Sequence, residues 1–139
     1  MSVYDRLTLP SRTTAIDDAR RWASGHLERA GASAEAVWAV ELVLTEELSN
    51  VVRHAYGGDE GQVIELELDL DDERVELVIV HFGEPFDPST YSPPDLDAVP
   101  TGGYGVLLIN ELMDEVRRET TADRGTRVTL VKRRWREQA

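Results

Sequence analysis

The sequence has no cysteine, a single lysine at position 132, and nowhere a run of about 18 apolar residues. Without cysteine, neither a disulfide framework nor a thiolate zinc site can form, which is compatible with a reducing compartment. Without a long apolar run there is no spanning helix. The opening MSVYDRLTLP has no basic start leading into an apolar stretch, so no secretory signal is expected and the chain reads as soluble and cytoplasmic. Lys132 is not preceded by GxxxxGK[ST], which excludes the common P-loop. Positive charge is also scarce: 27 acids against 15 bases give a formal charge of −12. Such a surface repels a phosphate backbone, so no direct nucleic-acid partner is expected, and a protein with a basic patch suits it better. The cluster Lys132, Arg133, Arg134 and Arg136 reads as a solvated strand end.

The 139 residues are enough for one domain, residues 1–139, with a core that needs no staple. Val3 to Leu9 suits a short edge strand. Ser11 and Thr13 are candidate caps for a helix running to about Arg29, with Gly31 as its stop. Ser33 opens a longer helix, about Ala34 to Ala55, closed by Gly57 and Gly58. Ile64, Leu66, Leu68 and Leu70 alternate with Glu65, Glu67 and Asp69, the period of a half-buried strand. After a turn at Asp71 to Arg74, the more uniformly apolar Val75 to Val80 suits a central strand paired with it as a hairpin. From Gly83 to Gly103 five prolines and no periodicity predict a long loop, the length of a functional lid or a disordered segment. Val106 to Val116 has helical spacing, and Thr126 to Trp135 suits a final strand.

Two constellations carry chemistry. In ELVLTEELSNVVRHAY, residues 41–56, Val37, Val40, Leu44, Leu48, Val51 and Ala55 form an apolar stripe. Glu46 and Asn50 lie one turn apart on nearly the opposite side, with Arg53 and His54 a turn further on. They suit an ordinary solvated face. Equally, a glutamate can act as general base and an asparagine oxygen can be a neutral ligand for Mg²⁺ held mainly by phosphates. Trp38, Leu42 and Val43 border the same side, which suggests that something covers it. TGGYG, residues 101–105, precedes the third helix; its glycines either end a loop or let backbone N–H groups and the helix dipole meet an anion.

The order of these features, ExxxN on a helix, a hairpin, a strand ending in GEPFDP, a lid, GGYG opening a helix and a GT-started strand, resembles the anti-sigma-factor serine/threonine kinases of the GHKL ATPase superfamily. The resemblance runs from about Leu7 to Arg133. It implies an α/β two-layer sandwich, a mixed, mostly antiparallel sheet covered on one face by three helices, with ATP and Mg²⁺ held under a lid at about 84–102. It makes Glu46 the catalytic base and Asn50 the Mg²⁺ ligand, with Arg53 and His54 beside the phosphates. His81, Gly83, Pro85 and Phe86 would form the adenine-side turn, Thr101, Gly102, Gly103, Tyr104 and Gly105 the phosphate-side turn, and Thr126 would close the adenine pocket. The implied reaction transfers the γ-phosphoryl group to a STAS-type anti-sigma-factor antagonist. The implied biology is transcription regulation by partner switching with a sigma factor, by a homodimer away from membranes.

The departure is in VIVHFGEPFDP, residues 78–88. The family has an aspartate two residues before the glycine, accepting from the adenine amino group; here that residue is His81. A neutral imidazole still accepts through one nitrogen but is bulkier and loses the acceptor on protonation. Losing that bond with a buried group left unpaired costs about 1–3 kcal/mol. Two function classes follow: an active Mg²⁺–ATP kinase that tolerates His81, or a non-catalytic partner-switching module with a weakened nucleotide site.

Overall fold

A computed structural model describes residues 2–57, 59–82, 104–122 and 125–137. Along the chain they form β1 (Val3–Pro10), α1 (Thr14–Arg29), α2 (Ala34–Asn50), a π-turn (Val51–Ala55), β2 (Val63–Leu70), β3 (Arg74–His81), α3 (Tyr104–Leu112), β4 (Glu115–Thr120) and β5 (Thr126–Arg133). The strands make one five-stranded sheet in the order β1-β2-β3-β5-β4. The expected two-layer α/β architecture is present, and every described pairing is antiparallel.

The period-2 pattern of the hairpin sets the register. Leu66 faces Ile79, Leu68 faces Leu77 and Leu70 faces Val75, so the apolar side chains of both strands point to one face. β5 continues the rows, with Ile79 opposite Val128 and Leu77 opposite Leu130. These residues are buried against the helices in one core with Leu27, Val40, Val43, Leu44, Leu48 and Ile109. Glu65, Glu67 and Asp69 lie on the other face, where the carboxylates keep their hydration.

The helix layer is closely packed because α1 buries mainly small side chains. Ala15, Ala19, Ala23 and Leu27 recur every four residues, and α2 offers Ala36, Ala39, Val40 and Val43. Removing large side chains from a helix–helix contact lets the backbones approach. At the turn between the two helices Gly31 takes φ +84°, a conformation that glycine adopts at little cost, as the stop signal predicts. Ser33 caps α2, its Oγ accepting from the Ala36 N–H at 3.1 Å. The chain end clamps this turn: Ser33 N–H donates to Trp135 O, Glu137 N–H donates to Gly31 O, and the fully buried Trp135 donates its indole N–H to Asp71 O.

Several expectations are corrected. Neither Ser11 nor Thr13 caps α1 with its side chain. Ser11 is fully buried, donating to Asp59 O and accepting from Gln62 N–H, so its hydroxyl is occupied by the segment before β2. The second helix stays α-helical only to Asn50, because Tyr56 N–H bonds to Val51 O and the last turn widens to the i→i+5 spacing. The third helix stops at Leu112, and Val116 lies in β4, a strand that the helical spacing of 106–116 conceals. Asp114 makes this change of direction. Its N–H donates to Val131 O and its carboxylate accepts from the Arg133 N–H, which turns the chain onto the β5 edge. Among the described residues no helix is long and apolar enough to cross a membrane.

Candidate functional site

The site lies where α2 gives way to the π-turn, opposite the end of β3 and the start of β5. Glu46 and Asn50 are both half-buried on one flank of α2, one turn apart, because the buried stripe runs through Ala36, Val40, Val43, Leu44 and Leu48. Val43, expected to border the polar side, is fully buried, so the stripe is rotated from the sequence pattern. Neither Glu46 nor Asn50 is hydrogen-bonded through its side chain to another described residue. Arg53 and His54 are exposed on the π-turn, with Arg53 Nε donating to Ser49 O at the long distance of 3.5 Å. π-turns of this kind are frequent at functional sites, since widening one turn re-aims its side chains.

On the sheet His81 ends β3 and sits opposite Thr126, the first residue of β5, so both face the helix layer. His81 is 3% exposed, and its buried Nδ1 has no hydrogen-bond partner among the described residues. Tyr56, just after the π-turn, packs its ring edge-on to the imidazole at 6.1 Å between centroids. Its hydroxyl donates to Val63 O at 2.7 Å and accepts from the Phe82 N–H at 2.8 Å, tying the helix end to β2 and to the exit of β3. Burial pushes the tyrosine hydroxyl above its ordinary pKa. Gly125 completes this end: a Cβ there would lie 2.8 Å from the Phe82 ring and 2.9 Å from Thr121 Oγ1, so glycine lets the three segments meet.

The residues that sequence reasoning missed are Glu47 and Arg118. Glu47, 2% exposed, lies inside the apolar stripe of α2, and Arg118 reaches it from β4. The pair is bidentate, with Nη1 donating to Oε1 at 2.7 Å and Nη2 to Oε2 at 3.0 Å, the fork geometry that arginine favours for carboxylates. Half of the signal was in the sequence: Glu47 follows Val43 by four and Leu44 by three, placing a charge on the buried stripe. The other half needed β4, whose alternation of Val116 and Arg118 turns the guanidinium inward beside Val128. The pair bears on His81 electrically. Burial depresses the imidazole pKa most; the Glu47 carboxylate opposes that shift and the Arg118 guanidinium adds to it. The imidazole is therefore neutral near pH 7.

Gly83, Pro85, Phe86, Thr101, Gly102 and Gly103, together with the lid expected at about 84–102, lie outside the described residues. Tyr104 and Gly105 open α3. The structure thus brings Glu46, Asn50, Arg53 and His54 onto one helix end and sets His81 and Thr126 side by side on the sheet below.

A family model described as a histidine kinase-like ATPase domain matches residues 9–132. The serine-protein kinase RsbW of Staphylococcus epidermidis is 31% identical over 144 residues, covering 97% of this chain and 89% of the relative. RsbW of Oceanobacillus iheyensis is 30% identical over 127 residues, covering 84% and 80%. The crystal structure of the RsbU and RsbW domains of Rv1364c from Mycobacterium tuberculosis matches with a TM-score of 0.68 at 20% identity, covering 99% of this chain and 34% of that one, a likeness of fold. With a model match over most of its length and relatives at this level, the chain belongs to the histidine kinase-like ATPase family, among the anti-sigma-factor serine/threonine kinases of the GHKL superfamily.

Proposed function

We infer that the chain is a Mg²⁺–ATP-dependent serine/threonine protein kinase that phosphorylates a STAS-type anti-sigma-factor antagonist and binds a sigma factor in a partner switch. The observation that carries this reading is the pair Glu46 and Asn50, one turn apart on a half-buried flank of α2 and not engaged by other described side chains. Bound ATP would supply the γ-phosphoryl group and bring the metal. Asn50 fits that role because a single amide oxygen suits a Mg²⁺ whose other ligands are phosphate oxygens and water. Glu46 holds the position of a general base that takes the proton of an incoming serine or threonine hydroxyl. Arg53 and His54, exposed on the π-turn, border the phosphates. His81 and Thr126 meet the base, and the glycines at 83, 102, 103 and 105 belong to the two turns that flank the nucleotide. The net charge of −12 favours basic protein partners and opposes nucleic acid. The family membership also supports a homodimer acting in the cytoplasm as a regulator of transcription, formed from a single domain with a lid at 84–102.

His81 supports a second reading, a partner-switching module of the same fold that no longer transfers phosphate, because a bulkier, single-acceptor side chain stands at the base position. The two are separated by mixing the protein with radiolabelled ATP, Mg²⁺ and its cognate antagonist. The kinase reading expects label on the antagonist, lost in Glu46→Ala while complex formation persists. Undiminished transfer by that variant would remove Glu46 as base, and absence of transfer by the wild type with intact partner binding would favour the module.

A further inference from the structure

The turn that follows α2 reverses the helix pattern. In an α-helix continued past Asn50, His54 would fall two turns after Glu47, which is 2% exposed, and so on the buried stripe. Tyr56 would fall five turns after Trp38, which is 56% exposed, and so in solvent. The opposite is found: His54 is exposed, while Tyr56 is half-buried with its ring edge-on to His81. The bond from Tyr56 N–H to Val51 O makes the exchange, because one extra residue in the turn shifts the side chains that follow by up to about 100° around the axis. π-turns are rare, and this one is braced from outside its own backbone. The pairing of β2 with β3 runs as far as Glu65 opposite Val80, and the same register would next set Val63 opposite Phe82. There the Tyr56 hydroxyl interrupts the ladder, donating to Val63 O at 2.7 Å and accepting from the Phe82 N–H at 2.8 Å. The side chain is thus wedged between the two strands where they part. Gly57, at φ +58°, turns the chain away directly after it.

We propose that Tyr56 is a positioning residue: its hydroxyl, fixed between β2 and β3, holds the π-turn open and so presents His54, with Arg53, to the phosphates of a bound nucleotide instead of to the core. The proposal rests on the nucleotide-binding reading above, which assigns Arg53 and His54 to the phosphates, and adds how they are aimed. Tyr56 acts through the backbone of the turn, since its hydroxyl is committed to two main-chain groups of the hairpin. Without that hydroxyl the Phe82 N–H can bond directly to Val63 O, the hairpin closes by one rung, and the ring loses its anchor. The turn then relaxes toward the i→i+4 spacing, which draws His54 toward the buried stripe and away from the ligand.

The test uses Tyr56→Phe, which keeps the ring against His81 and removes only the hydroxyl. Amide hydrogen exchange, followed residue by residue by NMR, is expected to speed up about tenfold or more at residue 56, whose N–H makes the π-turn bond, and to stay unchanged in the middle of α2. Calorimetric titration of the full chain with Mg–ATP is expected to show a loss of about tenfold in affinity. In an Arg53→Ala/His54→Ala background the same substitution should cost less than about twofold, because the groups it aims are gone. Should that background bind too weakly to titrate, His54→Ala alone serves with the same limits. A tyrosine that only stabilises the fold would cost the same in both backgrounds, and that result overturns the proposal. An unchanged exchange rate at residue 56 overturns it as well. Wild-type binding of Mg–ATP with an affinity that Tyr56→Phe leaves unaltered defeats only the proposal. Absence of Mg–ATP binding by the wild type defeats the nucleotide reading beneath it and the aiming role together.

Discussion

Replacing Arg118 by methionine removes the cation from a buried carboxylate while keeping an unbranched side chain of similar reach. Glu47 is 2% exposed and its two oxygens are paired with Arg118 alone among the contacts described. In water each charge is fully hydrated. In the fold the hydration of Glu47 is replaced by two charge-assisted bonds at 2.7 and 3.0 Å. Breaking a buried pair from one side leaves the other charge uncompensated, a loss of about 3–5 kcal/mol. For a chain of this length that lowers Tm by about 10–20 °C. Removing both charges has a different outcome, since a well-packed apolar pair avoids desolvation altogether and is often neutral or stabilising. Glu47→Leu combined with Arg118→Met should therefore recover most of the stability lost by Arg118→Met. Urea denaturation of the wild type, both single variants and the double variant closes the cycle. The reasoning is refuted if Arg118→Met costs less than about 1 kcal/mol, the value of a surface ion pair, or if the double variant is no more stable than Arg118→Met.

Other expectations follow from single sites. The Asp5 carboxylate accepts from the Trp22 indole N–H and from His26, and these bonds lower its pKa from 3.8 to about 2. Its folded pKa is depressed, so its stabilisation is present above pH 4 and is lost as pH falls toward 2. Asp5→Asn should flatten the acid limb of a pH–stability curve, and an unchanged limb would remove Asp5 as a contributor. Trp135→Ala empties a fully buried site and unclamps the α1–α2 turn, at a cost of about 3–5 kcal/mol by thermal unfolding. Gly125→Ala forces a Cβ to 2.8 Å from the Phe82 ring and 2.9 Å from Thr121 Oγ1. Phe82 is partly exposed and can give way, so a loss of about 1–3 kcal/mol is expected, read by urea denaturation.

The hairpin of β2 and β3, the extent of α1, the Ser33 cap and the Gly31 stop were legible along the chain, because each depends on side chains within a few residues of one another. Glu46 and Asn50 were legible for the same reason, since helical spacing alone puts them on one flank. The caps assigned to Ser11 and Thr13 were not, because the Ser11 hydroxyl finds partners near residue 60, and local chemistry could not weigh that competitor. β4 was concealed for a related reason: its charged outer positions match an edge strand, but its inward positions are only Val116, Arg118 and Thr120, too few apolar side chains to announce a strand.

The amino-acid pattern alone carries the architecture, the acidic surface, the glutamate–asparagine flank and the substitution at His81, all of them matters of periodicity, net charge or a short motif. What the residues in isolation leave open is the company that His81 keeps. Only the pairing of β5 with both β3 and β4 sets Thr126 beside it and brings Arg118 within reach of Glu47, a residue 71 positions away. Burial and neutralising charge arise from distant segments closing on one another, and for that reason the chemistry of the imidazole was decided by tertiary structure.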